Sequence, residues 1–221
     1  MADIFHEVEE DLRRDRARKL WEKYGNYLLA GAVGVVVIVA AWRGFEWYQK
    51  QQADAAGARY QDAVSLARAG KNAEAEQAFG ALAKDAPGGY RILTRFRLAA
   101  EMGARDPVEG AKAYDTLATD GSAGALLQAL AKIRAGYLLV DTSPYSEMVQ
   151  KMEPLTAAGE PFRHSAREIL GLSAYRAKDL PTATKWFEAV VGDQDVPPPA
   201  RQRADLMLQL IAADAPAKPA S

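Results

Sequence analysis

Reactive side chains are few in this sequence and lie far apart. The two histidines, His6 and His164, fall on either side of a long apolar run. A metal site made from both is therefore not expected. There is no cysteine, which removes thiolate nucleophiles, disulfides and thiolate metal sites. His164, Ser165 and Glu168 offer a base, a hydroxyl and a carboxylate. On a single helix, however, three such neighbours do not converge on one reacting atom as a triad must. Neither a phosphate-cradling loop nor a GxSxG elbow occurs. Trp186 beside Phe187 reads as core or rim. The expectation is no catalytic residue, no metal, no cofactor, no small-molecule substrate and no enzyme activity. With a formal net charge of −1, nothing global points to nucleic acid.

The chain is organised around Tyr24–Trp42, nineteen residues without a charge, stopped by Lys23 and Arg43. A helix of that length rises ~28 Å, enough to cross a hydrocarbon core of ~30 Å. Trp21, Tyr24 and Tyr27 flank one end; Trp42, Phe45, Trp47 and Tyr48 flank the other, as in the aromatic belts of membrane spans. Val39-Ala40-Ala41 also offers the small residues of a cleavage site. The preceding segment, with its seven acids, is unlike a signal peptide's short positive region, so an uncleaved anchor is expected. Six basic residues precede the run from Arg13 to Lys23, and three follow it through residue 60. That bias places the N-terminus in the cytoplasm and the larger part outside, which in a bacterium is the periplasm. Residues 1–23 read as an amphipathic helix, with Ile4, Phe5, Val8 and Leu12 at helical spacing. It is either a membrane-surface helix or a solvated leader. Ala30 and Gly34 form a small-xxx-small pair, a weak signal for helix packing in the membrane.

The remainder is rich in helix formers and poor in strand-like runs, which predicts an all-helical domain. It also repeats. Phe79, Tyr114, Met152 and Phe187 recur at spacings of 35, 38 and 35, and Leu82, Leu117, Leu155 and Val190 follow each by three residues. A period near 34 is that of helix–turn–helix repeats, which stack into a solenoid. Asp106-Pro107-Val108-Glu109 reads as an N-cap, a first-turn proline and a capping-box acid. Ser143-Pro144 looks like the same device, and Asn72 and Ser122 are further cap candidates. The predicted fold is a single transmembrane helix followed by a degenerate α-solenoid of about four helix pairs and a C-terminal capping helix. The expected divisions are a leader at 1–23, a span at 24–42, a helical stalk at 43–54, the repeat domain at 55–213 and a disordered tail at 214–221. The span is expected to run on through the stalk into the first helix of the domain.

Leu170-Gly171 with Ala183, Phe187 and Val190, and Ala75 with Phe79, Leu82 and Pro87, resemble tetratricopeptide repeats. Tyr175 lies one place beyond the usual aromatic, and Gly110 and Val149 depart from the pattern. The whole chain, with its leader FHEVEEDLRRDRARKLWEKYGNYLLAG, is similar to the YfgM-type ancillary subunits of the SecYEG translocon. That resemblance implies a single-pass inner-membrane protein with a periplasmic repeat domain. It also implies a role beside the translocon in the chaperone network that handles exported proteins. The implied partners are translocon subunits, a periplasmic chaperone-like prolyl isomerase and exported clients. An envelope-assembly or cell-division scaffold would use the same repeats. No catalytic residues come with the resemblance.

In such arrays the first helix of each pair lines the concave face. Divided that way, the first helices hold twelve Lys and Arg against four acids, and the second helices four Lys against eight acids. A basic groove would attract acidic partner segments. Arg95, Lys132 and Arg167 are the expected groove contacts; the other reading of these bases is that they pair with neighbouring helices and pack the array.

Overall fold

The computed structural model describes the backbone of residues 3–214 and the side chains of Arg18 and of residues 21–214. The apolar stripe expected at Ile4, Phe5, Val8 and Leu12, His6, and all of the tail after Asp214 lie outside those described side chains. Two units divide between Ala55 and Ala56.

The first unit consists of most of helix α1, Asp3–Arg68, whose C-terminal turns belong to the second unit. Its apolar stretch has a mean hydropathy of 2.0 in the best window and is long enough to cross a membrane. Its large side chains have no protein cover: Leu28, Val36 and Ile38 are each more than 60% exposed.

The second unit is built of helices joined by turns, with no strand among its described residues. The end of α1 pairs with α2, Asn72–Asp85. Next come α3, Gly88–Arg105, with α4, Pro107–Ala118, and α5, Ala125–Leu139, with α6, Tyr145–Met152. The last pair is α7, Arg163–Arg176, with α8, Leu180–Val191, and α9, Pro198–Asp214, closes the series. A 3₁₀ turn, Glu153–Leu155, extends α6 where Pro154 removes a backbone donor.

The repeat register lies inside the packing. Phe79, Tyr114, Met152 and Phe187 are all at most 4% exposed, and Leu82, Leu117, Leu155 and Val190 at most 7%. Small residues on the first helix of each pair admit these knobs. A Cβ on Gly171 would stand 2.8 Å from the Phe187 ring, and one on Gly136 would stand 3.0 Å from Met152 Sδ. Ala63 shares a buried cluster with Ala75 and Phe79. In the second pair the closeness is between backbones: a Cβ on Gly110 would lie 2.3 Å from Gly103 Cα. This explains the departure at Gly110, because α3 and α4 cross there at glycine-to-glycine distance. In the third pair it is Met148 that is fully buried, while Val149 is half-buried.

The caps follow the sequence in part. Asp106 accepts from the backbone N–H groups of Val108 and Glu109, with Pro107 in the first turn, as expected. Glu109, however, pairs with Lys112, and the Asp106 N–H donates to Met102 O, so no capping box closes. Ser143 does not cap α6, because Pro144 occupies the cap position; Ser143 offers its carbonyl to Arg176 instead. Asn72 lies inside α2, and Ser122 is a donor to Asp120 rather than a cap. Asp179 caps α8, accepting from Thr182 N–H.

Candidate functional site: the first-helix face

Three successive first helices are joined by one polar ladder. Glu168 of α7 is 7% exposed, and its carboxylate is fully engaged. Arg203 of α9 donates through Nε at 2.6 Å and Nη2 at 2.7 Å, and Tyr137 of α5 donates its hydroxyl at 3.1 Å. This fork-on-fork pair gives both strength and orientation. The Glu168 contact raises the Arg203 pKa above its ordinary value. Burial, followed by the Glu168 charge, raises that of the Tyr137 phenol. The ladder marks the face that α5, α7 and α9 present together. Leu126 and Tyr137 share one exposed stripe of α5, since eleven residues bring a helix back to within about 20°, and exposed Arg134 lies about 60° to its side. Leu206 and Leu210 stand exposed one and two turns beyond Arg203.

The three expected groove residues are placed differently. Arg95 forms an ion pair with Asp120, in the turn after α4. Arg167 donates to Asp193 at 2.9 Å, to Ala189 O and to Thr156 O, and its side chain is 15% exposed. Both thus take the packing role. Lys132 is exposed and has no carboxylate within 4 Å among the described residues. It lies five residues from Tyr137, which is about 140° around the helix, so Lys132 is not on the ladder's face.

These bases belong to a second repeated device. Arg59, Arg95, Lys132 and Arg167 recur at spacings of 36, 37 and 35. Arg59 is paired with Asp85, Arg95 with Asp120 and Arg167 with Asp193. In each case the acid lies 25 or 26 residues later, where the second helix of the same pair ends. The clamp tightens along the chain. The first pair is half-exposed at 3.9 Å, whereas the last is a knot. There Asp193 also receives Arg163 at 2.8 and 2.9 Å, and its carbonyl accepts from Arg201. Hydrogen bonds, first from Arg163, hold the Asp193 carboxyl well below the usual carboxylate range. Hydrogen bonds from Ser122 and then Arg95 do the same for Asp120.

No catalytic constellation assembles among the described residues. His164 lies beside Asp193, with Nε2 3.2 Å from Oδ2, while Glu168 points to Tyr137 and Arg203. The base and the carboxylate are thereby drawn to different partners. A cleft of about 770 Å³ between α2 and α3 is lined by Asn72, Gly80, Leu98 and Met102, and by Glu76 and Arg105. These last two satisfy each other at 3.1 and 3.2 Å. No group of three or more metal-ligating side chains is present among the described residues. The sequence reading counted Arg134 among the first-helix bases and Asp85 among the second-helix acids without giving either a role, and it missed Tyr137, Asp120 and Asp193. The 35-residue step from Glu168 to Arg203, and the step of 25 or 26 from base to acid, were the available signals.

No curated protein and no solved structure matches the chain. The family model described as "Tetratricopeptide repeat-like domain" matches residues 18–209, a range that includes the apolar stretch of α1 as well as all four helix pairs. The paired helices, the aromatic and small-residue register and this match agree: the chain belongs to the tetratricopeptide repeat-like domain family.

Proposed function

We propose that the protein is a single-pass inner-membrane protein that binds other proteins through its repeat domain, as an accessory component of the secretion translocon and its chaperone network. The N-terminus lies in the cytoplasm and the repeats lie in the periplasm. The observation that carries the membrane half is the run of exposed large apolar side chains on α1. Water does not tolerate such a surface, and lipid covers it. The excess of basic residues before the run sets the orientation. Binding of proteins follows from the family, and the translocon from the resemblance of the leader, span and repeats to the YfgM-type subunits. The first-helix face held by the Tyr137–Glu168–Arg203 ladder is the surface for a partner segment, with Leu126, Tyr137, Leu206 and Leu210 as its apolar contacts. The protein acts without catalysing a reaction.

Co-purification from gently solubilised membranes tests this reading. Recovery of translocon subunits or a periplasmic prolyl isomerase supports it. Recovery of cell-wall enzymes alone moves the protein to an envelope-assembly scaffold. A periplasm-active reporter fused after Ser221 is expected to be active; an inactive fusion would reverse the topology.

A further inference from the structure

In three of the four helix pairs a base on the first helix meets an acid 25 or 26 residues later, at the end of its own pair. The third pair has the base and lacks the acid. Counting from Lys132, the two positions fall on Ala157 and Ala158, both exposed in the turn after the 3₁₀ segment. Lys132 itself is exposed. A solvated lysine in a repeat position whose internal partner is absent has no packing duty there. No carboxylate lies within 4 Å of its ammonium among the described residues, and two small side chains stand at the positions where the other pairs carry the acid. Arg167, the equivalent base of the fourth pair, comes no nearer than the carbonyl of Thr156 at the start of the same turn.

We propose that Lys132 is a docking point for a carboxylate of a protein partner, which completes from outside the ion pair that the other pairs complete from within. The inference rests on the protein-binding reading and adds a second contact to it, away from the ladder's face. The partner is a protein segment presenting Asp or Glu at the turn Thr156–Phe162. An exposed pair of this kind adds specificity and encounter rate more than affinity, so the contact weakens with salt.

Full-length protein in gently solubilised membranes is treated with a water-soluble carbodiimide. The reagent joins an amine to a carboxylate in contact as an amide, and takes up the water lost as its urea. Lys151, 2.9 Å from Asp115, is the internal control. The expected product links Lys132 to an Asp or Glu of another protein. In Ala158→Asp, or in Ala157→Asp, the link moves to the new side chain, and the foreign product falls tenfold or more. The same variants raise the Tm by about 1–2 °C, as an added exposed ion pair does. Lys132→Met removes the foreign product without moving the Tm. The proposal is overturned if Lys132 stays uncoupled or couples to its own chain while Lys151 reacts. It is also overturned if the foreign product survives undiminished in both Asp variants, or if neither raises the Tm. A wild-type chain that co-purifies with partners but shows no Lys132 product leaves the protein-binding reading standing and removes only this contact. A chain that co-purifies with nothing removes both.

Discussion

Gly110 and Gly80 both lie on second helices, yet a single methyl group is expected to act on them in opposite directions. At Gly110 the new Cβ meets the Gly103 backbone at 2.3 Å. Backbone cannot swing aside like a side chain, so Gly110→Ala must push α3 and α4 apart, at a cost of at least ~1–3 kcal/mol. At Gly80 nothing lies within 4 Å, and Gly80→Ala removes only the conformational freedom of glycine, a gain of ~0.5–1 kcal/mol. Denaturant midpoints of the two variants check both signs. Phe187→Ala empties a fully buried site and is expected to cost ~3–5 kcal/mol by the same measurement. At this scale the buried register was readable, because large apolar residues at a fixed period have few alternatives to burial. The charged residues were not, since helix membership does not say which side of the helix a base faces. Lys132 and Tyr137 share α5 and point about 140° apart.

Between elements, the turn from α8 to α9 is the tightest joint. Asp193 holds it through Arg163, Arg167 and the backbone contact from Arg201. Its folded pKa lies below the ordinary 3.8. The contribution to stability is therefore present in full above that value, and is lost as pH falls from there towards the folded pKa. In Asp193→Asn the loss is already complete at neutral pH. The variant should therefore be the less stable chain near pH 7, and its stability should fall less steeply than the wild type's as pH drops below about 4. Denaturant midpoints across that range would show it, and parallel curves would disprove it. Caps were only partly readable for a related reason. Ser143, Asn72 and Ser122 are the right residue types in nearly the right places, but a cap needs one residue with extended backbone directly before the first turn. Asp106 meets that geometry, and Asp179 caps α8 through Thr182 N–H from a backbone that is not fully extended.

For the whole chain, the apolar run is the part that most constrains where the protein can reside. Val36→Arg places a charge at its centre, at a cost of ~2.5–3.5 kcal/mol on the insertion scale. The variant is expected to shift from the membrane fraction to aggregates or the soluble fraction, scored by carbonate extraction. Helix type and pairing were legible from period and composition, because each pair buries itself against its neighbours. The inner ladder was not, because it joins residues 31 and 35 positions apart whose pairing depends on how the pairs stack.

The missing clamp of the third pair also bears on the order in which the chain can assemble as it is synthesised. The first two clamps close within 26 residues, so each of those pairs can lock as soon as its own second helix has emerged. The third has no such clamp among the described residues. Its second helix is held from upstream by Lys151 on Asp115, and from downstream by Arg176 on Ser143 O, by Trp186 on the Tyr145 hydroxyl and by Arg167 on Thr156 O. The third pair is therefore expected to gain its full set of contacts only when α7 and α8 have arrived. A nascent chain stopped near residue 160 is expected to carry two clamped pairs and an α6 held only by its upstream contacts, more open to protease than in the finished chain.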